Sequence, residues 1–156
     1  MPVNKLINYL NENSIRYVFV KHAPAYTSQE VAASAHVPGK KMLKTVILNV
    51  DGELTMMVLP STHNVDFDLI RETLGAANVD LATEEEFKNE FPDCEVGAMP
   101  PFGKLYDMET LVDETLTRED EIAFNACTHK EIIKMDYKDY EDLIKPRVIR
   151  AGAQIA

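Results

Sequence analysis

A short loop bounded by glycines has the composition of an oxyanion-binding site. It spans residues 97–103 and reads Gly-Ala-Met-Pro-Pro-Phe-Gly. The two glycines permit backbone angles that other residues resist, whereas the two prolines stiffen the centre of the loop. The N–H groups that remain include those of Ala98, Met99, Phe102 and Gly103. Preorganised backbone donors of this kind stabilise a developing oxyanion, although a rigid surface turn would have the same composition.

Lys44 is a second residue whose position suggests chemistry. It lies in a β-rich run over 43–50, and an Asp-Gly pair at 51–52 joins this run to a second one over 54–59. Asp-Gly favours a tight turn between antiparallel strands, which pairs Lys44 with Leu59 on a largely apolar face. A lysine in such a place extends its ammonium to solvent, finds a partner or lowers its pKa. Two interpretations remain: simple solvation at a strand end, or a cation at the mouth of a pocket.

The same turn fixes the register of the whole hairpin, because a two-residue loop sets how the two strands align. The predicted pairs are Val50 with Glu53, Leu48 with Thr55, Val46 with Met57 and Lys44 with Leu59. Both faces of the hairpin are mostly apolar. The hairpin is therefore predicted to lie in a barrel-like sheet, or in a sheet that is covered on both sides.

The other segments predict short helices and strands around this hairpin. Helices are predicted over 3–12, 27–36, 66–74 (with Gly75 just past its end), 83–91 and 137–145, and strands over 15–20, 105–112, 121–126 and 131–135. Capping boxes at Thr27-x-x-Glu30 and Thr83-x-x-Glu86 begin two of the helices. Without a regular βαβ alternation, these elements predict one α+β domain over 1–156, with a mixed, mostly antiparallel barrel-like sheet surrounded by helices.

The charge of the chain limits its partners. The 156 residues carry a formal net charge of −10, which argues against a general nucleic-acid binder. Residues 66–95 hold ten acids and two bases, so 16 acids and 14 bases remain elsewhere out of totals of 26 and 16. That remainder has room for a local basic patch, or it is ordinary solvated surface. Candidates for the patch are Lys40, Lys41, Lys44, Lys130, Lys134, Lys138, Lys145, Arg147 and Arg150.

Cysteine, histidine and hydropathy patterns indicate a plain intracellular domain. Cys94 and Cys127 form no paired motif, which predicts two reduced thiols and no disulfide. The four histidines share no metal-ligand spacing, so neither a metal nor a cofactor is expected. The N-terminus has no signal-peptide pattern, and no segment reaches the roughly 18 apolar residues of a membrane span. We therefore expect a cytoplasmic protein with no membrane partner.

Taken together, the loop and Lys44 resemble the YbaK family of aminoacyl-tRNA deacylases, which is related to the editing domain of bacterial prolyl-tRNA synthetases. The matching segments are His22-Ala23-Pro24 with the helix from Thr27, the strand Lys44–Leu48, the loop Gly97–Gly103, Asp113, and the strand-turn Asn125–His129. They cover nearly the whole chain, and the loop with its upstream lysine is their most specific part. In the last segment, Cys127 stands where the family pattern has glycine.

The resemblance implies hydrolysis of the ester that links a wrong, small amino acid to the 3′ end of a tRNA. The implied catalytic groups are Lys44 and the backbone of Gly97, Ala98, Met99 and Gly103, whose N–H groups would receive the ester carbonyl. Implied substrate-binding or near-site residues are His22, Tyr26, Pro100, Pro101, Phe102, Asp113 and His129, with Pro101 and Phe102 as walls of the aminoacyl pocket. The implied partner is an aminoacyl-tRNA, and the protein itself is expected to be a monomer or a weak dimer. No residue is an obvious general base, which fits attack by a positioned water or by a group on the substrate.

Two other classes of function fit the same residues. A binding module would hold an aminoacyl group, a nucleotide or a peptide in this pocket without turnover. An interaction protein would use the acidic segment 66–95, including Glu84, Glu85 and Glu86, to dock a basic partner such as an aminoacyl-tRNA synthetase. The third class is compatible with the first.

Overall fold

The computed structural model describes residues 4–22 and 37–154. Its elements follow one another in this order: α1 (Asn4–Glu12), β1 (Tyr17–Lys21), β2 (Leu43–Val50), β3 (Glu53–Pro60), β4 (His63–Val65), α2 (Phe67–Leu74), β5 (Val79–Leu81), α3 (Glu84–Phe87), β6 (Glu109–Asp113), β7 (Glu121–Asn125), β8 (Glu131–Asp136), α4 (Tyr137–Ile144), β9 (Arg147–Ile149) and β10 (Gly152–Gln154). Two 3₁₀ turns, Gly103–Tyr106 and Glu114–Arg118, precede and follow β6.

The strands form separate mixed and antiparallel sheets. The largest has the order β5-β2-β3-β6-β9, a second has the order β1-β8-β7, and β10 pairs with β4. Among the described residues, an isolated bridge from Met42 to Ala123 links the first two sheets. The α+β class is confirmed, but the described strands close no barrel, because one bridge does not continue the ladder around. The mixed and antiparallel sheets expected from the sequence are present, and the two larger ones share one core cluster without a closed barrel among the described strands.

The β2–β3 hairpin has the register predicted from its turn. Lys44 pairs with Leu59, Val46 with Met57, Leu48 with Thr55 and Val50 with Glu53. One face packs into a core cluster that contains Ile47, Met56, Phe102, Phe124 and Tyr140. The other packs into a cluster that contains Leu48, Met57, Leu59, Ile70 and Leu111. The hairpin is thus covered on both sides, as its two apolar faces predicted.

Two helix-end signals, Gly75 and the Thr83 capping box, are confirmed, whereas the side chain of Asp136 makes no capping hydrogen bond at the start of α4. Asp66 accepts a hydrogen bond from the Leu69 N–H, and Gly75 ends the same helix at φ 67°. The box between Thr83 and Glu86 forms in full, yet its helix α3 lasts one turn and does not approach Pro92. The helix predicted over 27–36 lies outside the described residues.

The strand predicted over 105–112 begins only at Glu109, because the 3₁₀ turn Gly103–Tyr106 occupies the start of that range. The apolar side chains at 105, 106 and 108 pack on the core from this turn, and they do not belong to a strand. The three-residue strands β4, β5, β9 and β10 were not predicted, since segments so short carry little periodicity.

Candidate functional site

A cleft of about 280 Å³ opens between the edge of β2 and the start of the glycine-bounded loop. It is lined by Thr45, Val46, Ile47, Leu81, Ala82, Glu84, Phe87, Val96, Gly97 and Met99. The cleft exists because β5 pairs with β2 only along Leu48–Val50, after which the Ala82 N–H donates to the Ile47 carbonyl at 3.0 Å. Alternate residues of a strand direct their backbone groups to the same side, so those of Thr45 face the cleft.

Most backbone donors of the loop are already used inside the protein. The Ala98 N–H donates to the Glu95 carbonyl at 3.0 Å, and the Phe102 N–H donates to the Pro100 carbonyl at 2.8 Å. The Gly103 N–H donates to Thr110 Oγ1 at 3.1 Å. The expectation that Ala98, Phe102 and Gly103 offer N–H groups to a ligand is therefore wrong, because the loop folds on its own hydrogen bonds.

Two donors remain at the cleft. Within the described part of the chain, the Gly97 N–H has only the Met99 thioether as an acceptor, at 3.3 Å, and a thioether is a weak one. The Met99 N–H has no hydrogen-bond partner among the residues that the structure describes. Both residues line the cleft, so the oxyanion-binding capacity of the loop is concentrated at its N-terminal end.

The C-terminal part of the loop is an anchor. Phe102 is fully buried and its ring packs 5.4 Å from both Phe124 and Tyr140. The Tyr140 hydroxyl donates to the Pro101 carbonyl at 2.6 Å, and burial raises the pKa of Tyr140 well above its usual value, which keeps the hydroxyl protonated. Pro100 and Pro101 are buried as well. The resemblance implied that Pro101 and Phe102 are walls of the aminoacyl pocket. In the structure they do not line the cleft, and they hold the loop against the core.

We expect Tyr140→Phe to lower the free energy of unfolding by about 1–3 kcal/mol, because it leaves the buried Pro101 carbonyl without its donor. Urea unfolding of wild type and variant, monitored by circular dichroism, measures the difference. Tyr17→Phe is the matched control, since its hydroxyl bonds to the Asn11 side chain in an exposed position. Equal stability of wild type and Tyr140→Phe would show that the anchor does not depend on this hydrogen bond.

Lys44 directly precedes the residues of β2 that line the cleft. Its side chain is half-buried, and this burial lowers the pKa of Lys44 from the ordinary value of 10.5. It shares a strand face with Val46, which does line the cleft. That the ammonium itself reaches the cleft stays a prediction.

The turn after β7 packs against the start of the loop. The Cys127 N–H donates to the Ala98 carbonyl at 3.0 Å, and the Glu95 N–H donates to the Cys127 carbonyl at 2.8 Å. Cys127 has φ 72°, the left-handed region that glycine adopts without penalty. The turn therefore keeps a glycine-type backbone although its residue is cysteine. His129, which follows in this turn, is buried beside Gly97.

Cys94 and Cys127 form a disulfide, so the prediction of two reduced thiols is wrong. The two cysteines are 33 residues apart in the sequence. Only the backbone pairing between the loop and the turn after β7 brings them together, and no spacing rule shows such a contact. The disulfide fixes the segment that leads into Gly97.

Other residues implied by the resemblance have separate positions. Asp113 is buried, and its carboxylate accepts the N–H groups of Ala151 at 3.0 Å and Thr115 at 3.2 Å. These bonds give Asp113 a structural role, and a contact with substrate stays a prediction. His22 ends the β1 region and donates its N–H to the Lys130 carbonyl at 2.7 Å. Tyr26 lies outside the described residues.

The structure adds residues that the sequence interpretation missed. Leu81 and Val96 border the cleft and are 60% and 49% exposed, which is unusual for large apolar side chains. Glu95 directly precedes Val96 and contacts His129. Glu95 was not singled out because it is one of ten acidic residues in the segment 66–95. The one sequence feature that could have indicated it is its position two residues before Gly97.

In the described ranges, 4–22 and 37–154, no group of three or more histidine, cysteine or acidic side chains is arranged to hold a metal ion. No helix in them is long and apolar enough to cross a membrane.

Comparison with known proteins gives one family match. A family model described as an aminoacyl-tRNA editing domain matches residues 22–143, which include Lys44, the loop and His129. Proline–tRNA ligases of Bacillus mycoides and Bacillus cereus are 32% identical to this chain over 88 residues, or 56% of the chain. The match covers 15% of the length of each ligase.

Solved structures share the fold. The hypothetical protein APE2540 has a TM-score of 0.85 and 18% identity, covering 96% of this chain and all of that one. A protein described as a candidate trans-editing enzyme for prolyl tRNA synthetase has a TM-score of 0.82 and 16% identity over 97% of both chains. At these identities the likeness concerns the fold alone.

Proposed function

The chain belongs to the aminoacyl-tRNA editing domain family, and from this premise we propose that it hydrolyses the ester of a tRNA charged with a wrong, small amino acid. The observation that carries the proposal is the cleft in which the N–H groups of Gly97 and Met99 meet the edge of β2 just after Lys44. The two N–H donors lie at one wall of the cleft and the Lys44 cation lies near the other wall. This arrangement suits an ester carbonyl that is attached to the sugar-phosphate backbone of a tRNA.

The size of the cleft favours a small acyl group. Its 280 Å³ lies at the lower limit of ligand pockets, which measure roughly 300–1,000 Å³. Its lining is largely aliphatic, with Val46, Ile47, Leu81, Ala82 and Val96 among the side chains. Small amino acids are also the ones that synthetases discriminate poorly, since one methylene contributes only about 1–3 kcal/mol.

The hydrolytic step would use the two donors of the loop. Water attacks the ester carbonyl carbon, and the N–H groups of Gly97 and Met99 bind the carbonyl oxygen as it gains negative charge. Collapse of the intermediate breaks the bond to the ribose oxygen, which takes up the proton that the water loses; the amino acid leaves as the free acid and the tRNA keeps its free 3′ end. A hydroxyl of the terminal ribose can orient this water, but it cannot replace it as the nucleophile. Lys44 holds the terminal adenosine or its phosphate through the cation.

The charge of the chain supports delivery by a partner. A net charge of −10 gives weak electrostatic attraction for tRNA, because phosphate binding depends on a positive surface. We propose that a synthetase or its tRNA complex presents the 3′ end, with Lys40, Lys41 and Lys44 as the nearby cations on the protein.

The function is tested with a panel of tRNAs. Each tRNA is mischarged with alanine, serine or cysteine, and the same tRNA charged with its cognate amino acid is the comparison. We expect the purified protein to deacylate at least one mischarged tRNA catalytically and to spare the correctly charged ones. Release of amino acid below one equivalent, together with a stable complex, would instead identify a binding module. Neither turnover nor binding across the panel would refute both functions.

A further inference from the structure

The disulfide between Cys94 and Cys127 links the start of the loop to the turn after β7. Around it, the Glu95 N–H donates to the Cys127 carbonyl at 2.8 Å, and the Cys127 N–H donates to the Ala98 carbonyl at 3.0 Å. Cys94 lies three residues before Gly97, whose N–H is one of the two donors left at the cleft. The state of this bond therefore bears directly on where that donor lies.

The two sulfur atoms of the disulfide differ in their access to solvent. Cys127 is 1% exposed, whereas Cys94 is half-buried and lies between the exposed residues Asp93 and Glu95. A thiolate from solution therefore reaches the Cys94 sulfur and not the Cys127 sulfur. Attack at Cys94 makes the buried sulfur of Cys127 the leaving group.

Tyr106 places a hydrogen-bond donor at both sulfur atoms. Its hydroxyl oxygen lies 3.6 Å from Cys94 Sγ and 4.0 Å from Cys127 Sγ. Burial, with the nearby charge of Asp93, raises the pKa of Tyr106 to about 12, so the hydroxyl stays protonated. A protonated hydroxyl at this place stabilises a thiolate that forms on Cys127, because hydrogen bonds to charged groups are stronger than those to neutral ones.

We propose that Cys94 and Cys127 form a reversible thiol–disulfide site, and that its reduction by a dithiol displaces the Gly97 end of the loop and slows deacylation. The inference rests on the proposed function, because an enzyme that acts on aminoacyl-tRNA works where translation takes place. In the cytosol, disulfides are usually transient and serve catalysis or redox sensing.

The exchange takes place in two steps. One thiolate of the dithiol attacks Cys94 Sγ, forms a mixed disulfide and expels Cys127 as a thiolate, which accepts the hydrogen bond of Tyr106. The second thiolate attacks the reductant's own sulfur in the mixed disulfide and releases Cys94. Two electrons pass from the dithiol to the pair, its two protons end on the two cysteines, and the reductant leaves as a cyclic disulfide.

Reduction changes the spacing of the two segments. Two unbonded thiols need more room than one disulfide, and the Cα atoms of Cys94 and Cys127 lie 4.2 Å apart. The two backbone hydrogen bonds and the 2.6 Å contact between Glu95 Oε2 and His129 Nδ1 hold the reduced turn together. The loop therefore shifts without unfolding, and a displacement of about 1 Å at a reacting group costs roughly 100-fold in rate.

The test compares oxidised and reduced protein on one mischarged tRNA whose amino acid carries no thiol. We expect reduction with dithiothreitol to lower kcat/KM about tenfold or more, since the remaining contacts limit the shift. Removal of the reductant and reoxidation with diamide should restore kcat/KM. The chain has two cysteines, so the reductant has no other target in the protein.

The double variant Cys94→Ser/Cys127→Ser is the matched control, and its rate should respond to neither reagent. Equal rates for the two states of the wild type would overturn the inference. So would a response to dithiothreitol that persists in the double variant, because the effect would then lie outside the pair.

Amide chemical shifts provide a readout that needs no activity. We expect the nitrogen-15 and proton shifts of the Gly97 and Met99 amides to change on reduction, while those of Gly75 stay the same. Unchanged shifts at Gly97 and Met99 would contradict the displacement of the loop. If these amides respond and neither state clears any aminoacyl-tRNA, the proposed function fails and the redox site stands, without a reaction to control.

The rate of reduction, measured by alkylation and mass spectrometry, tests the part of Tyr106. We expect Tyr106→Phe to slow reduction about fivefold, because the leaving thiolate of Cys127 loses its donor. Tyr17→Phe is the control, since its hydroxyl bonds to the exposed side chain of Asn11, and it should be reduced at the wild-type rate. A wild-type disulfide that dithiothreitol reduces only after denaturation would be an inert structural bond, and the inference would be wrong.

Discussion

Lys44→Ala should reduce kcat/KM for deacylation about 100-fold or more, with little loss of stability. The removed ammonium is half-buried at the strand end that leads into the cleft, where low solvent screening strengthens its attraction for a phosphate or for the ester. Loss of one preorganised electrostatic group of this kind typically costs roughly 100- to 1000-fold. Initial rates on the preferred mischarged tRNA measure the effect.

Companion variants separate charge from shape at this position. Lys44→Met keeps the length of the side chain and should be as inactive as Lys44→Ala, whereas Lys44→Arg should recover part of the activity. Lys21→Ala is the matched control, because Lys21 is an exposed lysine at the end of β1 that does not line the cleft. Deacylation by Lys44→Ala at the wild-type rate would remove Lys44 from the mechanism and leave the two N–H groups of the loop as the whole site.

The hairpin illustrates what the sequence determines by itself. The Asp-Gly turn and the alternating side chains are local signals, and the pairing of Lys44 with Leu59 follows from them alone. The helix end at Gly75 and the cap at Thr83 are local in the same way. These elements were predictable because every interaction that selects them lies within a few residues.

The loop shows where local reasoning ends. Its composition indicated free donors, but Thr110 and the Glu95 carbonyl take up two of them, and the partners of a backbone group depend on the tertiary fold. The Cys94–Cys127 disulfide and the Glu95–His129 pair likewise join segments more than 30 residues apart. The residues that form the loop could be predicted from the sequence, whereas the direction in which each N–H group points could not.

Gly103→Ala should reduce the rate of deacylation about 100-fold, although Gly103 does not line the cleft. Its added Cβ would contact Thr110 Oγ1 and lie 2.6 Å from the Met108 carbonyl oxygen, so the backbone must move. Overpacking of this kind typically costs about 1–3 kcal/mol of stability. The shift passes along a loop stiffened by Pro100 and Pro101 to the N–H groups at its other end, and a displacement of about 1 Å at a reacting group costs roughly 100-fold in rate.

Gly75→Ala separates misplacement of the loop from general destabilisation. Gly75 has φ 67° with open space around its Cβ position, so alanine there adds backbone strain of about 1–2 kcal/mol far from the loop. Urea unfolding and initial rates should show similar stability losses for the two variants, but a large rate loss only for Gly103→Ala. The double variant Gly103→Ala/Thr110→Ala removes the contact with Thr110 Oγ1. It should recover little activity, because the Met108 carbonyl oxygen still blocks the added Cβ. Equal rates for Gly103→Ala and Gly75→Ala would mean that the loop tolerates displacement, and catalysis would then not depend on where its donors lie.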